Sequence, residues 1–398
     1  MPRAVKALVN GELEPIPSTH ILVDEFQDID KIQLDWVLYH KRRGVEITAV
    51  GDDDQSIYKF RDALGYTAFK LLHNAIYPKV IYLDTNYRCA KKILATSNAL
   101  ITANTGRIQK NITPIQSGGS VATVEAWTQE DEIDAIVKYQ SRTKTELAVI
   151  ARTHGLLERI AYEFEVNDIS FNRPGGKDFW DLPLPALLSS LLQRTKVDGL
   201  VEVTLESTAS TPDFTELDAI LRAGEANIDR KIQRTTDWIE RVVLPGYEEK
   251  WHSDTLRRAS SSLLGFTGSV LRRLAGLKKR KKNAESKLTL LTMHSAKGLE
   301  FENVWVFGCN DGRVPLIPKG KTIDAEEIEE ERRLLYVAMT RARKELTLSF
   351  SWNRGIRKPE LRILQRLYPS RFLTDELGIA QARPTPPEQY REYRYWKG

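Results

Sequence analysis

Only two of the 398 residues are cysteine, Cys89 and Cys309. Two thiols that far apart make neither a disulfide framework nor a zinc-ligand spacing. They read as reduced thiols of a cytosolic protein. Long apolar runs are also missing. None approaches the ~18 residues that a membrane span needs, so no membrane partner is expected. Residues 1–10 hold no apolar signal core. His294 has no partner at metal-ligand spacing, which excludes a zinc-type site. A phosphate-binding loop of the form G-x-x-x-x-G-K-[ST] is absent as well. Gly320-Lys321-Thr322 ends like one, but Pro315 stands where the first glycine belongs. A helix opening with Asp324, Glu326 and Glu327 follows, and its charges would repel phosphate.

What remains is a globular composition, 41% hydrophobic and 28% charged, in a chain long enough for two or three separate cores. The net charge of +5 permits contact with nucleic acid without demonstrating it. Short β-rich apolar runs at 21–23, 45–50, 80–83, 147–151, 288–291, 304–307 and 346–350 alternate with longer helical patterns. That alternation predicts α/β layers. The stretch 187–277 differs: it reads as mostly helical, with Ser/Thr-rich breaks such as 207–211, and looks like an insertion between two α/β segments. It closes on Arg272, Arg273, Lys278, Lys279, Arg280, Lys281 and Lys282. That run is either a solvated helix end or a phosphate-backbone contact, since clustered cations release condensed counterions. Residues 382–398, rich in Pro, Arg and Tyr, read as a flexible tail.

Five segments carry chemistry. In Ile21-Leu22-Val23-Asp24-Glu25-Phe26-Gln27-Asp28, buried-type residues run into paired acids, as at the end of a core parallel strand. Open α/β sheets place ligands there. One acid can hold Mg²⁺ through water, and the other can orient or deprotonate an attacking water. Val50-Gly51-Asp52-Asp53-Asp54-Gln55-Ser56-Ile57-Tyr58-Lys59-Phe60-Arg61 follows a second strand. Gln55 could sense a terminal phosphate through its amide, and Tyr58 and Phe60 interleave with Lys59 and Arg61 as single-strand binding surfaces do. In Leu83-Asp84-Thr85-Asn86-Tyr87-Arg88, the arginine lies just past a strand and could reach a phosphate as a fork donor. Leu291-Thr292-Met293-His294-Ser295-Ala296-Lys297-Gly298-Leu299-Glu300-Phe301 reads as a loop between strands, touching a nucleic-acid backbone on one side and a nucleotide on the other. The segment from Glu329 to Arg343 reads as a helix with acids at its start and bases at its end. Ile328, Leu335, Ala338 and Ala342 form its apolar face, and Arg341 is placed to stabilise charge on a transferring phosphate.

In this order, the five segments resemble motifs II, III, IV, V and VI of the UvrD/Rep/PcrA family of superfamily 1 DNA helicases. The resemblance covers roughly residues 17–200 and 286–352. It implies an α/β fold of RecA-like parallel sheets, one truncated and one nearly complete, with a mostly helical insertion. The expected division is 1–84 for a remnant of the first motor domain, 85–192 and 288–375 for the second, 193–287 for the insertion and 376–398 for the tail. The implied activity is that of an ATP-dependent 3′-to-5′ DNA helicase or translocase, using ATP and Mg²⁺ on single-stranded DNA and single/double-strand junctions, in a cytoplasmic, nucleoid-associated setting. Asp24 would support Mg²⁺ and Glu25 would activate water. Gln55 would couple the γ-phosphate to DNA contacts. Arg88 and Arg341 would reach the γ-phosphate, and Glu300 the ribose. Tyr58, Phe60 and Arg61 would lie near DNA bases, with Thr292 and His294 along the backbone. The family usually has tryptophan where Phe60 stands. The phosphate loop, expected before Ile21, is not there. That raises two alternatives: a non-catalytic single-strand-binding or regulatory protein, and one half of a split helicase whose loop lies on a separate polypeptide.

Overall fold

The computed structural model describes all residues except 1, 144, 168, 175–178, 197–213, 223–226, 247–249, 283–285, 319, 359–360, 382–393 and 397–398. Near the start, α1 (Pro2–Val9), β1 (His20–Val23), α2 (Lys31–Arg42), β2 (Glu46–Ala49) and α3 (Tyr66–Ile76) form a small α/β body. β1 and β2 pair in parallel, from His20 opposite Glu46 to Val23 opposite Ala49. Asp30 and Gln33 start α2 with a capping box, which satisfies two otherwise orphan amides. Phe26, Ile29, Leu34, Ala68 and Leu72 form the core beneath this sheet. The strand expected at 80–83 does not form. Its side chains are strand-like, but no strand among the described residues pairs with it, and Ile81 and Leu83 are exposed.

The chain then enters a second, larger α/β body through β3 (Thr85–Asn86), α4 (Lys91–Ile101), β4 (Thr113–Pro114), β5 (Ser120–Thr128), α5 (Gln129–Arg142), β6 (Leu147–Ala151) and α6 (His154–Val166). A helical segment follows: α7 (Pro183–Leu192), α8 (Phe214–Arg222), α9 (Ile228–Val242), α10 (Lys250–Leu264) and α11 (Val270–Lys282). It has its own core around Leu188, Leu217, Ile232, Trp238 and Leu256, which also takes in Phe179 and α7. Arg273 of the basic run is not a surface cation. It is buried, donating to Asp229 at 2.6 Å and to the Leu263 and Gly268 carbonyls, and so ties the helices together. The Ser/Thr-rich break at 207–211 lies outside the described residues.

The larger body is completed by β7 (Leu288–Thr292), β8 (Phe301–Phe307), α12 (Ala325–Met339), β9 (Ala342–Lys358), β10 (Leu361–Arg366) and β11 (Arg394–Trp396). Five strands run parallel in the order β5-β9-β8-β6-β7, and β10 and β11 extend the far part of β9. Every residue of β6 is buried. Ala148 and Ile150 join the core on one face, whereas Leu147, Val149 and Ala151 join that on the other. A near-continuous apolar strand is what a sheet covered on both faces requires. Two further sequence expectations need correction. The helix carrying Arg341 stops at Met339, because Ala342 already pairs with Phe301 as the first residue of β9. Residues 394–396, read as part of a flexible tail, pair with β10 as β11; residues 382–393 lie outside the described residues.

Candidate functional site

β1 delivers Asp24 and Glu25 to its carboxyl end, both exposed. Glu25 is held in the left-handed region, φ 50° and ψ 43°. A β-carbon disfavours that conformation, and such strain clusters at functional positions. The neighbouring turn is tight: a β-carbon on Gly51 would sit 2.5 Å from Gln27 Oε1 and 2.9 Å from the Phe26 nitrogen, so only glycine fits. Glu25 accepts from Gln27 Nε2, and Lys297 Nζ lies 3.4 Å from it. Lys297 also bonds Asp28 and stands 5.1 Å from the Tyr58 ring centroid. One cation from the loop after β7 thus joins the acids beyond β1 to the aromatic segment beyond β2.

The 52–55 turn carries Gln55, whose amide is fixed at both ends. Its Nε2 donates to Asp52 at 2.7 Å, and its Oε1 accepts from Arg341 at 3.2 Å. Arg341 is 1% exposed and also donates to Val337, Leu299 and Thr340. Burial, with the charge of Arg88 next, lowers its pKa to about 10, so it stays cationic at neutral pH. Arg88 donates to Glu300 at 2.8 Å, and this arginine holds the Glu300 carboxyl below its usual range. A nucleotide using Arg88 for phosphate and Glu300 for ribose would first part this pair. That step is cheap, because both groups are partly solvated and such pairs are worth only about 0–1 kcal/mol. Cys89, beside both arginines, is buried and its thiol is pushed up to about 11, so it is no nucleophile.

Tyr58, Phe60 and His294 form a ring cluster with centroid separations of 5.9, 6.4 and 5.7 Å, and the Arg61 guanidinium lies over Tyr58 and Phe60 at 5.6 and 5.5 Å. Phe60 is 65% exposed, which leaves a face for stacking. Burial, then the charge of Arg152, lowers His294 to about 4, so its ring is neutral at physiological pH. Thr292 stands apart from this surface: it is buried and its hydroxyl pairs with Ser295 Oγ at 2.8 Å, shaping the loop from within.

Asp24 suits a hard cation held through water. It is exposed, and the contact found for it is Oδ1 accepting from the Glu25 amide at 2.8 Å. Among the described residues, Asp52, Asp53 and Asp54 are the one group of three acids close enough to hold a metal directly. They do not fit one, because the Lys110 ammonium already lies among all three. The sequence reading missed Lys110 and Arg107, which reach this turn from more than fifty residues away, and it gave no part to Lys297 or to Asp28.

Two family profiles match the sequence around these residues. The profile of the UvrD/REP helicase N-terminal domain matches residues 17–74. That of the UvrD-like helicase C-terminal domain matches 81–184 and 260–353. ATP-dependent DNA helicase Rep of Buchnera aphidicola subsp. Schizaphis graminum is 26% identical over 89% of this chain and 64% of its own length. ATP-dependent DNA helicase PcrA of Staphylococcus epidermidis and DNA helicase II of Haemophilus influenzae are each 27% identical over 89% of this chain and 58% of theirs. The chain thus spans about six tenths of these relatives. A solved C-terminal domain of a possible DNA helicase from Lactobacillus aligns over 67% of the chain and 88% of its own, at 13% identity and a TM-score of 0.31, too low to bear on the fold. With the two profiles matching consecutive parts of the sequence, and the segments they match forming one connected site, the chain belongs to the UvrD-like family of DNA helicases.

Proposed function

We propose that this chain takes part in ATP-driven 3′-to-5′ movement along single-stranded DNA. The division of labour follows two RecA-like motor domains: 1–84 contributes to the first, 85–192 and 288–375 form the second, and 193–287 is an insertion. The observation that carries the reading is that side chains from both bodies meet. Arg341 joins Gln55, and Lys297 joins Glu25 to Tyr58. Mg²⁺ at Asp24, when bound, would neutralise charge on the β- and γ-phosphates. Glu25 accepts a proton from the attacking water at its carboxylate. Gln55 orients toward the terminal phosphate and gives up its bond to Arg341, which then shares its charge with Arg88 across that phosphate. Glu300, freed from Arg88, takes a ribose hydroxyl. Tyr58, Phe60, Arg61 and His294 hold bases and backbone of the strand, with Thr292 supporting their loop.

The test is DNA-stimulated ATP hydrolysis by the purified chain. Glu25→Gln should lower kcat by roughly 100-fold or more while single-strand affinity is kept. Direction is read by placing a fluorophore at either end of an oligonucleotide; ATP-dependent arrival at the 5′ end is expected, and arrival at the 3′ end would reverse the polarity. A second reading, strand binding without turnover, rests on the exposed Phe60 ring beside Arg61, which can stack on bases without any nucleotide. Salt-sensitive binding with no hydrolysis would select it.

A further inference from the structure

The buried charges around Lys110 have no part in the chemistry above, yet they lie one residue from it. Asp52, Asp53 and Asp54 follow β2 in the smaller body, and Lys110 and Arg107 come from the loop between α4 and β4 in the larger one. Lys110 Nζ bonds Asp52, lies 2.7 Å from Asp53 and is 3.1 Å from Asp54. Arg107 grips Asp54 with both Nε and a terminal nitrogen, at 2.9 and 2.6 Å. The Ile108 amide donates to Asp53 at 2.6 Å. Asp54 is fully buried, and Arg107 is nearly so. The far side of the loop is fastened to α12: Glu329 accepts from the Thr105 amide and hydroxyl, and Arg333 donates to the Gly106 carbonyl at 2.8 Å. Ile57, just past the turn, is buried in the core of the larger body.

We propose that Lys110 and Arg107 are positioning residues: they lock the acidic turn against the larger body and thereby set the orientation of the Gln55 amide. Asp52 carries the linkage, because one of its oxygens takes Lys110 while the other takes Gln55 Nε2 at 2.7 Å. That leaves Gln55 Oε1 turned to Arg341 at 3.2 Å. The ammonium fills the place a metal would take among carboxylate atoms that all lie within 4.8 Å of one another. Without it, Asp54 keeps Arg107 but Asp52 and Asp53 lose their cation and repel at short range, which drives Asp52 toward solvent. Burial works against ionisation of Asp52, but Lys110, joined by Gln55 and the Asp54 amide, holds this carboxyl below its usual range. The function assigned to the lock rests on the reading of Gln55 as the phosphate sensor; the lock itself does not.

The experiment compares the full chain with Lys110→Met and Lys110→Arg, by hydrogen exchange and by steady-state hydrolysis. Lys110→Met should speed exchange in segments 52–58 and 104–112 by about tenfold or more, with α9 and β6 unchanged, and Lys110→Arg should restore protection to within about twofold. In hydrolysis, Lys110→Met should lower kcat about tenfold with KM for ATP within about twofold, because ATP still binds but its sensor is misaligned. Unchanged exchange at 52–58, or equal damage from both variants, overturns the lock. A raised KM with kcat intact overturns its role toward Gln55. If Lys110→Met does not fold, Arg107→Lys, which keeps the charge and loses the fork, should speed exchange at 104–112 by less, and no change there overturns the proposal. A wild-type chain that hydrolyses no ATP would sink the proposed function, and exchange would then decide the lock alone.

Discussion

Phe60 and His294 lie in the same ring cluster but make different demands on a bound strand. Phe60 is exposed, so Phe60→Ala removes a stacking surface and little core. Single-strand affinity should fall by roughly 1–3 kcal/mol, about five- to 160-fold, while the urea midpoint stays put. Phe60→Trp enlarges the face and should tighten binding; weaker binding would mean that this ring does not meet bases. His294 is neutral in the fold because burial lowers it from 6.5 to about 4. The unfolded chain therefore takes up a proton below about pH 6.5 that the folded chain refuses until about pH 4, and stability is lost as pH falls through that window. Discounted for partial exposure, the loss due to His294 is about 1–2 kcal/mol. His252 is lowered to about 4 as well, again by burial, and adds a second share. His294→Asn should thus lose less stability than wild type between pH 7 and 5, without becoming pH-independent; urea midpoints at the two values measure it. Most residues of this site were legible, because Asp24, Glu25, Gln55, Arg88 and Arg341 each stand near a strand or helix end that local pattern marks. Lys110 was not, since nothing in its own neighbourhood announces the acids it meets.

At the scale of elements, α12 shows how far pattern reaches. Asp324 caps it, accepting from the Glu327 amide at 2.8 Å while Glu327 reaches back to the Asp324 amide. Asp324→Ala should therefore cost about 1 kcal/mol in urea unfolding, and Asp324→Asn only a few tenths. Equal losses from both would mean that the charge at the helix start, not the cap, matters. The start was readable from those acids, whereas the end was not, because Ala342 is a good helix former and only its pairing with Phe301 draws it into β9. The same contrast separates β6 from residues 80–83. Both are apolar and β-rich, but β6 has β7 and β8 on either side, and 80–83 has no partner among the described residues. Propensity makes a segment willing to be a strand; a hydrogen-bonded neighbour makes it one.

At the scale of the whole molecule, the net charge of +5 suggests electrostatic capture of DNA, yet the cations around the aromatic patch are already spent on acids. Lys59 pairs with Glu326 at 2.7 Å, Arg152 with Glu331 at 2.6 Å, and Lys297 with Asp28 and Glu25. Arg61 is the cation of the patch with no ion pair among the described residues; it leans on Tyr58 and Phe60 instead. Each phosphate neutralised on a single strand contributes about −0.7 to the slope of log affinity against log salt. With one or two such contacts, binding should weaken only about three- to sevenfold between 50 and 200 mM salt, and stacking should supply most of the affinity. Four open cations would give a fall of about fiftyfold instead. Variants separate the contributions. Arg61→Ala should flatten the slope while costing little at high salt. Phe60→Ala should lower affinity at every salt concentration and leave the slope alone. A steep slope that survives Arg61→Ala would show that the ion pairs of Lys59 or Arg152 open when DNA binds, or that the basic end of α11 reaches the backbone; Lys59→Ala and Arg152→Ala, measured against Lys279→Ala, would then tell which.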